Sequence, residues 1–204
     1  MDKKEVHFGW LYQLTNYYFT SGNPYLCMMQ TEELKNLIPR EFADNARVWI
    51  YQSSRAFVEK EEREIDEQLH QFYTQWQSHG TPVRGWAKLL FKQFIVVLAD
   101  ENDFTVSGCS TDSSVRVIKS IERQYDVNFF DRMMLTFLVK GKAEMLPVSQ
   151  VQYAIDKGYI NKDTLVFNNV ALTKNELFEK WLIPLSESWV ASRVTLEVAT
   201  EKNR

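Results

Sequence analysis

The chain has 204 residues, 45% of them hydrophobic and 25% charged, with a net charge of −3. That composition is ordinary for a soluble globular domain and argues against a dedicated nucleic-acid binder, which carries a basic surplus. No run reaches the ~18 apolar residues of a membrane span, and two cysteines, Cys27 and Cys109, fit a reducing, cytoplasmic setting better than a disulfide framework.

Residues 1–29 hold Trp10, Tyr12, Tyr17, Tyr18 and Phe19 but no continuous apolar h-region, so they are not read as a signal peptide. They are expected to be an aromatic extension docked on the domain, or an upstream-start segment with Met28 or Met29 as initiator. A single α+β domain is expected over 30–193, with a polar tail at 194–204. Thr31 caps a short helix that ends before Pro39. Arg47–Gln52 is β-branched and aromatic and predicts a first strand. Ile65, Leu69, Phe72 and Trp76, with Tyr73, then recur at helical spacing, opposite a face of glutamates. His79-Gly80-Thr81-Pro82 predicts the stop of that helix, Gly in a left-handed cap and Pro just beyond.

Leu89–Leu98 predicts a long second strand, Asp100–Asp103 a hairpin turn and Phe104–Ser107 a third strand. A helix is expected after Asp112, with Val115, Ile118, Ile121 and Tyr125 on one face, and a fourth strand over Met133–Val139. The order β-α-β-β-α-β is the split βαβ pattern of a ferredoxin-like α+β sandwich. A C-terminal α/β extension follows. It comprises a helix over Val148–Lys157 closed by Gly158, a strand over Thr164–Phe167, and a helix from the capping box Thr173–Glu176 through Trp181.

In the ferredoxin-like arrangement, strands one and three are parallel neighbours and their carboxyl ends lead into helix N-termini. Gln52, Ser53, Ser54 and Arg55 would then share a crevice with Gly108, Cys109, Ser110, Thr111, Asp112 and Ser113. Arg55 and Arg116 would hold an anion, and Cys109 near the helix ends would be partly thiolate. The structural alternative needs no ligand: Gly108 relaxes a turn, Asp112 caps the helix and Cys109 is a small buried hydrophobe. Asn168, Asn169, Glu187, Ser188 and Trp189 extend the same surface or serve turns and packing.

Known catalytic patterns fit poorly. A tyrosine-phosphatase loop needs Cys-x5-Arg, but position 115 is Val and the arginine comes one residue late, at Arg116. Gly141-Lys142 is followed by Ala143, and position 136 is Thr rather than the first Gly of a P-loop. There is no Gly-x-Ser-x-Gly elbow. His7, His70 and His79 are scattered, so no metal site is expected.

Five segments carry a resemblance: Ala46–Arg55, Trp76–Gly80, Ser107–Val115, Val166–Asn169 and Ile183–Trp189. With these, over about Leu34 to Arg193, the chain resembles an uncharacterised family of small bacterial proteins often labelled "ABC transporter ATPase". The resemblance leaves out the aromatic start. The label implies ATP hydrolysis, for which the residues supply no P-loop.

The leading expectation is a cytoplasmic, non-catalytic binding or interaction protein. Its crevice would take a small anionic ligand or a protein partner, with no cofactor, no nucleic acid and no membrane insertion. The alternatives are a thiol-dependent enzyme with Cys109 as nucleophile, and the ATPase that the family label names.

Overall fold

The computed structural model describes residues 34–100, 108–140 and 142–196, with the side chains of 108–111 excepted. After a helical turn at 34–37 the elements run β1 (Arg47–Gln52), α1 (Glu59–Thr74), β2 (Gln77–Ser78), β3 (Thr81–Pro82), β4 (Gly85–Leu90), β5 (Phe94–Ala99) and α2 (Gly108–Tyr125). Then come β6 (Met134–Val139), β7 (Lys142–Pro147), α3 (Val151–Asp156), β8 (Leu165–Phe167), α4 (Lys174–Lys180) and β9 (Leu182–Pro184). Helices stand beside antiparallel sheets, so the chain is of the α+β class.

The chain divides into two compact units. Among the described residues, one contains those of 38–132 and 169–181, the other those of 34–37, 133–168 and 182–196. The first is built on a three-stranded antiparallel sheet in the order β1-β5-β4. Every residue of the central strand β5 is buried, so both faces of the sheet are covered. That is why Phe94–Ala99 reads as an unbroken apolar run instead of alternating.

On one face Ile95, Val97 and Ala99 pack with Ala87 and Leu89, Ile65 and Leu69 of α1, and Ile118 and Ile121 of α2. Ile65 and Leu69 are fully buried, and each contributes about 1.5–3 kcal/mol of transfer free energy. Phe94 belongs to the other face of β5, where its ring meets Trp181 edge-on at 5.3 Å. The Thr173 hydroxyl caps α4 by accepting from Glu176 N at 3.2 Å. The outer edge of β1 is tied down by Val48 N donating to Leu172 O at 2.9 Å. At the opposite edge, Asp66 of α1 accepts the Leu89 N–H of β4 at 2.9 Å, which blunts an otherwise open strand.

The sheet order departs from a split βαβ. Leu89–Leu98 is not one strand: it spans a hairpin whose turn places Phe91 (φ 51°) and Lys92 (φ 57°) in the left-handed region, closed by Gln93 N to Leu90 O at 3.1 Å. No Gly, Asn or Asp marks this turn, so the usual hairpin signal is missing. The first strand pairs antiparallel with β5, and Met134–Val139 joins a different sheet. The strand expected at 104–107 lies outside the described residues, as does the Thr31 cap. His79-Gly80 is not the stop of α1, which ends at Thr74. With φ of 51° and 81°, both residues form the turn of the small hairpin β2–β3, as a type I′ turn requires.

The second unit is a four-stranded antiparallel sheet ordered β7-β6-β8-β9. Leu135, Phe137, Val166 and Ile183 of the sheet pack on Val151, Ala154 and Ile155 of α3. A 3-10 turn, Val148–Gln150, leads into α3. Gly158 (φ 69°) then ends the helical segment in the left-handed cap that its sequence indicates.

Candidate functional site

β1 delivers Gln52 at its end, and the chain then turns through Ser53, Ser54 and Arg55 toward α1. This loop is engaged by the protein itself. Ser53 is fully buried, its N–H donating to Gln93 O at 2.8 Å. Ser54 Oγ accepts from Asn128 N at 3.0 Å, and Ser54 N donates to Asn128 O at 2.9 Å. Gln52 Oε1 accepts from Asn169 Nδ2 at 2.8 Å, and Asn169 Oδ1 accepts from Trp181 Nε1 at 3.0 Å. Asn169 therefore orients two side chains of the core.

Arg55 makes a fork-to-fork pair with Glu61, at 2.7 and 2.9 Å, and donates to Tyr125 O at 3.1 Å. Glu61, three residues into α1, also accepts from Val58 N at 3.0 Å, which is half of a capping box. These hydrogen bonds hold the Glu61 carboxyl below its ordinary range and push the Arg55 guanidinium up. Arg55, one of the two arginines expected to hold an anion, is occupied by a carboxylate and by a carbonyl at the C-terminus of α2.

That C-terminal position separates the two expected halves of the crevice. The helix opens at Gly108, four residues before Asp112, so Gly108, Cys109, Ser110 and Thr111 are its first turn and Asp112 is an exposed residue within it. Nine residues separate Arg116 from Tyr125, or about 13–14 Å along the axis, and the Gly108 turn lies about 20–25 Å away. The loop at Arg55 and the segment 108–113 thus sit at opposite ends of α2 and do not share a crevice.

Ser113 and Arg116 line a different space, a cleft of about 560 Å³ between α1 and α2. From α1 and its C-cap come Gln68, Gln71, Phe72 and Gln75, at i, i+3, i+4 and i+7. From α2 come Ser113, Arg116, Val117 and Ser120, at the same spacing. The two stripes face each other where packed helices ordinarily present apolar side chains. Trp76, Gln77 and the apolar members Phe72 and Val117 complete the wall.

Tyr125 stands one to two turns further along α2. Its hydroxyl donates to Glu64 Oε2 at 2.9 Å, and burial together with the Glu64 hydrogen bond pushes its pKa to about 12. Burial also raises the Tyr51 pKa, against a hydrogen bond with Ser114.

No ion pair within the described residues engages Arg116. Among the described residues that line the cleft, Arg116 is the one charged side chain. Among the described residues no cluster of His, Cys, Asp or Glu is suited to a metal ion, and no helix is long and apolar enough to cross a membrane. In the second unit, Ser188 Oγ donates to Leu185 O at 2.8 Å, and the Arg193 guanidinium lies 4.9 Å from the Trp189 ring centroid.

The sequence reading took Ser113 and Arg116 as site residues and missed the facing glutamines. In the sequence the polar stripe 68, 71, 75 runs beside the apolar stripe 65, 69, 72, 76 on one helix, a pattern that an ordinary solvated helix face also gives. No family model, no curated protein and no solved structure matches the chain.

Proposed function

We propose that this is a non-catalytic binding protein whose ligand site is the cleft between α1 and α2. The observation that carries the reading is the pair of facing polar stripes, Gln68, Gln71 and Gln75 against Ser113, Arg116 and Ser120. Polar side chains line a concave space of a volume usual for small-molecule sites, roughly 300–1,000 Å³. Its described residues offer donors, acceptors and one positive charge, and none that would activate the Ser113 or Ser120 hydroxyl as a base, which favours binding over chemistry. An anionic ligand is retained from the sequence expectation, with Arg116 alone of its two arginines. A cytoplasmic setting is proposed on the two-cysteine composition.

The test is a metabolite screen by two-dimensional amide NMR on the uniformly labelled chain. Ligands that bind should move the side-chain amides of Gln68, Gln71 and Gln75 and the Arg116 Nε–H together. If every responding ligand perturbs a different surface, or none responds, the cleft is not the site.

A further inference from the structure

We infer that the second unit carries a seat for an extended peptide of the pattern apolar-x-apolar, and that the chain's own Val194-Thr195-Leu196 is its releasable occupant. The segment leaves the 3-10 turn Trp189–Arg193 in extended conformation, with Val194 at φ −134° and ψ 158°. Its side chains alternate. Val194 and Leu196 are partly buried against the cluster that holds Leu135, Phe137, Val151 and Ile155, and Thr195 between them is exposed. That is the period of a strand with one face covered.

A side chain, not a strand, receives it. Thr195 N donates to Gln152 Oε1 at 2.7 Å, and Gln152 Nε2 donates to Thr195 O at 3.3 Å. An amide side chain has the donor and the acceptor of a peptide group, so this exchange reproduces the doubly bonded pair of an antiparallel ladder. Asp156, one turn further along α3, accepts from the same Nε2 at 2.8 Å. An ionised carboxylate only accepts, so it fixes which end of the amide meets the Thr195 N–H.

Capture of this kind holds the main chain, selects the alternate side chains and ignores the residue between them. Peptides added to a sheet edge are recognised in the same way. The occupant is held lightly. Among the described residues no backbone group bonds to the main chain of Thr195 or Leu196, so one amide and two partly buried side chains retain the segment. Elements retained by so little open locally while the rest of the fold stays closed. The open seat fits a protein partner that presents an extended segment with two aliphatic residues flanking one of any kind.

The test uses the full chain labelled with nitrogen-15, its Thr195→Pro variant and the peptide acetyl-Ser-Arg-Val-Thr-Leu-amide. Proline lacks the N–H that Gln152 accepts, so the substitution releases the built-in segment. The peptide should bind the variant at least about tenfold more tightly than the parent, whose seat is filled. It should also return the Gln152 side-chain amide signals to their parent positions. Adding Gln152→Ala should weaken the peptide about tenfold, the loss of its paired hydrogen bonds. In the otherwise unaltered chain, Gln152→Ala should speed exchange of the Thr195 amide and leave that of Ile155 unchanged. Peptides with proline in place of the threonine, or with aspartate at both apolar positions, should not bind.

Equal affinity for parent and Thr195→Pro chains would overturn the built-in occupancy. A peptide that binds neither chain, or whose binding is indifferent to Gln152→Ala, would overturn the seat itself. Parent-chain dimers that the peptide dissociates would give the seat to a second copy's segment and overturn the assignment to a separate partner.

Discussion

Gly85→Ala tests the wall of the cleft from behind. A Cβ built on Gly85 falls 2.5 Å from Trp76 Cε3 and 2.9 Å from Cζ3, with Leu98 O at 3.4 Å. The indole has little room to retreat. It is buried, with the Phe72 ring at 4.9 Å and the Trp49 ring at 6.3 Å between centroids. Overpacking of this kind costs about 1–3 kcal/mol. Replacing glycine also stiffens the unfolded chain, which returns roughly 0.4–1 kcal/mol. The net expectation is a loss of about 1–2 kcal/mol. For a chain of this length that lowers the melting temperature by roughly 2–8 °C. Urea unfolding followed by circular dichroism and tryptophan fluorescence measures it. In the double variant with Trp76→Phe the smaller ring relieves the contact, so the two effects should be non-additive by about 1 kcal/mol. Because Trp76 also lines the cleft, Gly85→Ala should shift the Gln75 and Gln77 side-chain amides. A Gly85→Ala protein as stable as the parent, or more so, would refute the close approach of strand β4 to the indole.

Three further outcomes are expected. Tyr125 keeps its proton up to about pH 12 in the folded chain against 10.0 for a free side chain, so its contribution to stability is complete below pH 10 and is lost as pH rises toward 12. Tyr125→Phe should flatten the alkaline fall of the urea midpoint, leaving the part due to Tyr51, whose shift has the same sign; an unchanged profile would contradict the Glu64 contact. Glu61 is held below 4.5 by Arg55, so its contribution is present above that pH and lost as pH falls through the lower folded value. Glu61→Gln should cost about 1 kcal/mol at neutral pH, as befits a partly exposed pair, and reduce the acid sensitivity measured by thermal melts at pH 3 to 6. Asn169→Ala should cost about 1–3 kcal/mol by removing hydrogen-bond partners from buried Gln52 and Trp181, with no change in ligand titrations at the cleft.

The helices were legible because burial left a period in the sequence. Ile65 and Leu69 mark the core face of α1, and Ile118 and Ile121 that of α2. Thr173 and Glu176 announce the start of α4, and Gly158 the end of α3. The strands were harder for one physical reason. A central strand covered on both faces loses its alternation, and the hairpin turn before it is made by Phe91 and Lys92, residues that carry no turn signal. Without that signal β4 and β5 fuse into one apparent strand. Every later strand then takes the wrong partner, which is how a split βαβ arises on paper from a β1-β5-β4 sheet.

The same error moved the site. Parallel strands one and three would have brought Arg55 and the Gly108 segment to one end of the sheet, and each has residue types that suit an anion. With the antiparallel sheet, Arg55 instead finds the C-terminus of α2, where a cation is favoured by the carbonyl ends of the helix and by Glu61. Ser113 and Arg116 were placed in that crevice by the same strand pairing, and both line the cleft between α1 and α2 instead. A stripe at i, i+3, i+4 and i+7 survives any rearrangement of the sheet, since the helix alone fixes it. The polar stripe 68, 71, 75 on α1 obeys the same rule. Two such stripes, one with its charge and the other with its amides, can be recognised before any topology is known.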